Sequence, residues 1–317
     1  MSVASEITRL QNAKSALKTS INAKTDNEHQ IDDETLDNYA EFVDSIQTGG
    51  STPTIGYVVN SFNNDGYPTE ITTYGFTIMP NKYFSTSYST NDTSFQNVIN
   101  ISLNNGVTRT GTATFQNCTN LILVNLPNTL ENIGNFAFSK CTNLSLTSLP
   151  NSVIYINASA FQNCTNLALT SLPSSLTSIG NTAFYNCTKL AIKTIPDGVT
   201  KLDTLIFYNC TQLKKISMNN VTQISGNQTS NGTFGYCTGL KQVWIGSAIT
   251  SNSFARYAFN GCSNLEKMYI NLPRATIEGF TNYQYAFMND TSKTGIIVCN
   301  DDEGFISKAE FDALVVE

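Results

Sequence analysis

The sequence predicts a β-rich α+β chain: a long array of stacked repeats, closed at each end by an atypical segment and preceded by a hairpin of two helices. Three observations carry this. Phe115, Phe138, Phe161, Phe184, Phe207, Phe234 and Phe259 each precede a cysteine by three residues, namely Cys118, Cys141, Cys164, Cys187, Cys210, Cys237 and Cys262. The first five copies are 23 residues apart and the next two steps are 27 and 25, a period typical of stacked repeat proteins. Between copies, short runs alternate apolar and polar residues, whereas the first fifty residues follow a helical period.

Residues 1–47 form the expected helical hairpin. Ile7, Leu10, Leu17 and Ile21 lie at heptad spacing, interrupted by Lys14, and a second stripe runs through Leu36, Tyr39, Val43 and Ile46. Two readings stay open for these stripes: packing on each other, or a seam that makes a homo-oligomer. Residues 48–54, within Q-T-G-G-S-T-P-T, read as a linker. Residues 55–94 carry β-type runs broken by N-N-D-G and read as an irregular cap over the first rung. The array spans 95–294. It opens on a shortened copy at Phe95, with Val98 in the cysteine position, and ends on Phe287, where Asp290 replaces the cysteine. Within a copy, the alternating apolar residues before Leu-Pro read as a strand that proline ends. The following L-x-x-I-G forms a second short strand or extended turn, with Gly134 and Gly180 permitting the bend. Ala-Phe-x-x-Cys suits one helical turn. Residues 295–317 read as a closing cap, a strand G-I-I-V and then a helix opened by the capping box Ser307-x-x-Glu310.

The composite L-P-x-x-[LV]-x-x-I-G-x-x-A-F-x-x-C-x-x-L resembles the BspA-like class of bacterial leucine-rich repeats from about Phe95 to Asp290. The resemblance implies a curved right-handed leucine-rich-repeat solenoid with a parallel sheet on one face. It also implies a surface or secreted protein that binds other proteins or cells without catalysis. The copies from Cys210 and Cys237 lack the Leu-Pro step, which predicts a kink or widening there. More distantly, S-E-I-T-R-L-Q-N-A-K-S-A-L-K and I-D-x-E-T-L-D-x-Y-A resemble helical modules of phage tail-associated proteins.

Composition narrows the function. Charged residues make up only 13% of the 317, so Asn, Ser and Thr must carry the surface, a coat that suits an extracellular, cell-surface or virion setting. Of the net charge of −6, nearly all sits in residues 1–50, leaving the array close to neutral and unsuited to nucleic acid. No segment approaches the roughly 18 apolar residues of a membrane span, so no membrane insertion is expected, and Met1 to Lys24 lack the apolar stretch of a secretory signal. Seven of the eight cysteines share one repeat position, and stacked equivalents would point the same way. They are therefore expected to be reduced, buried and hydrophobe-like, not paired.

A search for chemistry returns little. The single histidine, His29, stands in a polar turn, which removes Ser-His-Asp and Cys-His catalysis. The cysteines lie a repeat apart, not at zinc spacing, and no glycine-rich phosphate loop is present. Asp301 to Glu310 holds the acidic pattern of part of a calcium loop, but Cys299 would stand where the first carboxylate belongs. The N-C-T triplets follow from the repeat itself and need not mark glycosylation. No enzyme activity and no cofactor are expected.

One column varies. Seven residues after each cysteine stand Asn125, Ser148, Ser171, Thr194, Ser217, Trp244 and Tyr269. In the last three copies the flanking residues alternate as in a strand, which turns this column outward, with Lys215, Gln242 and Lys267 beside it. In the first four copies the apolar residue sits five after the cysteine, which leaves their alternation open. Exposed aromatics in a polar surround are binding anchors. Trp244, Tyr269, Lys215, Gln242 and Lys267 are therefore the candidate contacts for a protein or glycan; the alternative is that Trp244 packs under a loop or cap. A contrasting function is a spacer or tail component with no ligand site on the array.

Overall fold

In the computed structural model the phenylalanines and cysteines of successive copies do form the spine of a solenoid. The structure describes residues 56–63, 68–79, 83–84, 97–226, 232–250, 255–280, 286 and 296–316. The expected helical hairpin (1–47), the linker (48–54), Phe95 and the Phe287–Asp290 copy lie outside the described residues. The rings of Phe84, Phe115, Phe138, Phe161, Phe184, Phe207, Phe234 and Phe259 stack along the axis with centroids 4.9 to 5.7 Å apart and planes within 15°. Phe84 thus starts the stack within the segment expected to be an irregular cap.

Each ring is held from both sides. The Phe138 N–H donates to Ala160 of the next rung, and its carbonyl accepts the Cys164 thiol at 2.9 Å. Each of the seven repeat cysteines donates to the phenylalanine carbonyl of the rung before, at 2.9 to 3.1 Å. The eight cysteines are free and buried. Ala-Phe-x-x-Cys is a run of tight turns, not a helical turn. Left-handed residues bracket it: Phe136 and Lys140 in one copy, Ser159 and Asn163 in the next. Asn117, Asn163, Asn186 and Asn209 fill the left-handed position before cysteine, a conformation asparagine tolerates well.

Strands form two stacks along the axis. The first begins with an antiparallel hairpin, β1 (Gly56–Phe62) with β2 (Pro68–Tyr74). It continues in parallel through β3 (Asn100–Ser102) and β4 (Leu123–Asn125), so the expected cap is itself the first part of the sheet. The second stack lies at the I-G step: β5 (Asn132–Ile133), β6 (Tyr155–Ile156), β7 (Ser178–Ile179), β9 (Lys201–Leu202) and β11 (Gln223–Ile224). After a gap the first stack resumes as a parallel sheet of β8 (Thr194–Ile195), β10 (Lys215–Met218), β12 (Gln242–Ile245), β13 (Lys267–Ile270) and β14 (Ile297–Cys299).

The gap follows from spacing. In β4, β10, β12 and β13 the inward residues lie six and eight after the cysteine, a strand's period of two: Ile216 and Met218, Val243 and Ile245, Met268 and Ile270. Copy one belongs to this class, with Val124 buried and Leu123 exposed. In the copies from Cys141, Cys164 and Cys187 the inward residues lie five and eight after: Leu146 and Leu149, Leu169 and Leu172, Ile192 and Ile195. A spacing of three turns two consecutive residues outward and breaks the ladder, so the Leu-Pro runs of the Cys141 and Cys164 copies are not strands. The kink or widening expected where Leu-Pro is missing falls in part on residues 227–231, outside the described residues; across those copies the phenylalanine rings stack at 5.3 and 5.1 Å. Those copies hold the four-residue strands β10 and β12, and the copy with Leu272-Pro273 holds a third, β13, so strand length follows the period-two spacing. Gly134 and Gly180 matter for proximity, not for a special bend: an added Cβ would lie 2.3 Å from the Gly111 carbonyl oxygen and 2.4 Å from the Ala158 nitrogen.

After β13 come α1 (Arg274–Glu278), β14 and α2 (Lys308–Ala313). The capping box is present: the Ser307 hydroxyl accepts from the Glu310 N–H, and the Glu310 carboxylate accepts from the Ser307 N–H. Strand β14 of this segment closes the sheet beyond β13, with Ile297 and Cys299 in the core. Beyond β14 the chain turns back and lies on the outer face of β10, β12 and β13.

Candidate ligand-binding face of the array

Register brings the predicted contacts together. Lys215, Gln242 and Lys267 are direct neighbours across β10, β12 and β13, and Ser217, Trp244 and Tyr269 form the column two residues on. Both columns face outward, as the alternation predicts. Their exposure does not follow. Trp244 is 3% exposed, Tyr269 4% and Lys215 5%, because the chain beyond β14 covers them.

The cover is specific. Phe305, Ile306 and Phe311 supply the apolar partners. The Trp244 indole Nε1 donates to the Ile306 carbonyl at 3.1 Å, and the Tyr269 ring meets Phe311 edge-on at 6.0 Å. Lys215 Nζ lies 5.3 Å from the centre of the Phe311 ring and donates to the carbonyls of Phe311, Asp312 and Leu314 at 2.8, 2.8 and 2.7 Å. These carbonyls lie at the end of α2, where that of Phe311 also accepts the Leu314 N–H, and a cation suits that end of the helix dipole. Burial lowers the Lys215 pKa, with Asp312 opposing the shift and Lys193 adding to it. At the rim, Lys267 is exposed, and Gln242 is half-buried with its side-chain oxygen enclosed and lacking a hydrogen-bond partner.

The open part of the face lies in the copies before the cover, where two consecutive residues turn outward: Thr147 and Ser148, Thr170 and Ser171, Lys193 and Thr194. A cleft of about 410 Å³ sits at the boundary, lined by Thr170, Ser171, Ser174, Lys193, Thr194 and Asp197, with Lys308 of α2 as one wall. The Lys308 amine pairs with the Asp312 carboxylate. Hydroxyls, two amines and a carboxylate give this cleft both donors and acceptors, and Leu172, Ile195 and Pro196 give it an apolar part. Sequence reasoning missed it; the signal was the shift of the inward residue from six to five after the cysteine.

Nothing in the described residues assembles for nucleophilic or metal chemistry. Burial pushes the thiols of Cys141, Cys164, Cys187, Cys210 and Cys237 upward, the opposite of a reactive cysteine. Among the described residues no three His, Cys, Asp or Glu gather as metal ligands, and no helix is long and apolar enough to cross a membrane. The acidic run after β14 serves as a clamp. The Asp301 carboxylate accepts from the Arg274 N–H, while Asp302 pairs with the Arg274 guanidinium and accepts from the Cys299 N–H. Arg274 and that N–H hold the Asp302 pKa down at about 2. Tyr185, Tyr208 and Tyr236 form a second outward row with centroids 5.0 and 5.3 Å apart, but their ring faces are occupied by one another.

Comparison with known proteins agrees with this architecture. A family model for the BspA-type leucine-rich-repeat region matches residues 86–214 and 156–294, in six copies. The chain belongs to that family of leucine-rich-repeat proteins. Among solved structures, a leucine-rich-repeat protein of T. pallidum is 22% identical over 71% of this chain and 91% of its own, with a TM-score of 0.42. One from Bacteroides ovatus is 17% identical over 77% and 98%, with a TM-score of 0.32. A leucine-rich cell-surface protein of Faecalibacterium prausnitzii is 19% identical over 83% and 96%, with a TM-score of 0.24. No curated protein matches the sequence.

Proposed function

We propose that this chain is a non-enzymatic binding protein whose open solenoid face engages a protein or a glycan outside the cell. The observation that carries the reading is the mixed cleft beside α2, where Thr170, Ser171, Thr194, Lys193 and Asp197 present donors and acceptors next to Leu172, Ile195 and Pro196. Repeat membership supports it, since stacked arrays offer extended recognition surfaces. The uncharged, Asn-, Ser- and Thr-rich coat supports the extracellular setting.

The test uses the labelled full chain on a glycan microarray and on immobilised extracellular-matrix proteins. The double substitution Thr170→Arg with Ser171→Arg places two long cations in the cleft while leaving every inward residue intact. Loss of the bound signal with an unchanged melting temperature supports the reading; an undiminished signal places recognition elsewhere. The continuous hydrogen-bonded stack favours one second reading, a rigid spacer. Absence of binding to every immobilised probe would support that instead.

A further inference from the structure

We infer that the surface formed by Lys215, Trp244 and Tyr269 is a receptor site for a short amphipathic helix, filled in cis by α2. The site is distinct from the solenoid core. Trp244, Tyr269 and Phe311 form their own apolar cluster on the outer side of the sheet, whereas Val243, Ile245, Met268 and Ile270 fill the interior. The solenoid therefore does not need α2 to close its core.

The site specifies its occupant in three ways. The Tyr269 ring and the Lys215 ammonium enclose one phenylalanine, here Phe311. The indole of Trp244 fixes a carbonyl five residues before it, that of Ile306. Lys215 spends its three donors on carbonyls at the helix end, so it reads a helix terminus and not a carboxylate. This is the helix-in-groove mode of peptide recognition. The occupant that meets all three demands is this C-terminal segment, supplied in cis or by a second copy of the chain.

The resident helix is a weak occupant. It has six residues, well below the roughly 12 to 15 needed for a helix to persist alone, so its fold is imposed by the site. Leu314 and Val315 remain 37% and 90% exposed, and the enclosed Gln242 oxygen is left unmet. Segments with so little burial are the first to open locally. The inference does not rest on the cleft binding anything. It has a consequence for the cleft all the same, because α2 carries Lys308, and its exchange would remove one wall.

Trp244 is the chain's one tryptophan and reports the site directly. The probe is a synthetic peptide of residues 303–316, added to full-length wild type, Phe311→Ala and Asp312→Pro, with Trp244 emission and acrylamide quenching as readouts. Asp312 is exposed and lies inside α2, so its proline variant removes an intrahelical N–H and breaks α2 without touching the solenoid core, and serves if Phe311→Ala disturbs folding. In wild type, Trp244 is expected to be shielded and the peptide without effect. In the variants, Trp244 should become quenchable, and the peptide should restore shielding saturably. A peptide carrying Phe311→Ala should fail to do so. Adding Lys215→Met to either variant should weaken the peptide by about tenfold or more. Trp244 staying shielded in both variants would overturn the inference. So would an exposed Trp244 that the wild-type peptide does not re-cover.

Discussion

The cysteine of each copy does more than fill space. Its place in the interior was legible, because seven cysteines at one repeat position cannot be staples. Its hydrogen bond was not, since the accepting carbonyl belongs to the preceding rung, as with Phe138 for Cys164. Cys164→Ala should therefore cost about 2–3 kcal/mol, combining a small cavity with an unmet carbonyl. Cys164→Ser, which keeps a donor, should lose less, and urea unfolding of the two variants gives the order. Without reductant, iodoacetamide should label none of the cysteines in the native protein and all eight once it is denatured. Lys140 shows a local misfit. It holds φ of 63° at a position that neighbouring copies give to asparagine, and its side chain is exposed. Lys140→Asn should stabilise the chain by up to about 1 kcal/mol, read by the same titration.

At the scale of elements, the sequence resolved strands only where its spacing agreed with a pleat. Ile216 and Met218 or Val243 and Ile245 announce β10 and β12, and both strands form. Leu169 and Leu172 look equally apolar, yet their spacing of three abolishes the strand and opens the polar ledge. The contacts of α2 were out of reach for a different reason. The capping box locates the helix, but nothing local says that Phe311 will travel back to Lys215, 96 residues earlier. The predicted anchors Trp244 and Tyr269 were thus correctly aimed outward, and of the two readings for Trp244 the structure has the one in which it packs under a covering segment. Asp302 ties α1 to β14, and its carboxyl titrates at about 2 instead of the usual 3.8. A depressed carboxylate contributes stability above its unfolded value and loses it as pH falls through the folded one. The stability difference between wild type and Asp302→Asn should therefore be constant above about pH 4 and vanish as pH falls to about 2. Acid titration of the two unfolding curves checks this.

For the whole molecule, the repeat period made the architecture readable at once, because a copy that buries its faces only against neighbours can fold only as part of a stack. What the period could not show is how the regular and irregular halves divide the work. Shared phenylalanine stacking and backbone bonds join every described rung into one core, while α2 rests on that core through a side cluster of its own. Stability should then have two levels, a cooperative array and a lightly held C-terminal helix. Native-state hydrogen exchange of the full chain measures both. The amides of residues 308–314 should exchange through a low-energy local opening, while those of β10, β12 and β13 exchange together at the global unfolding energy. Protection of α2 equal to that of the sheet would contradict the account, as would rungs that open one by one.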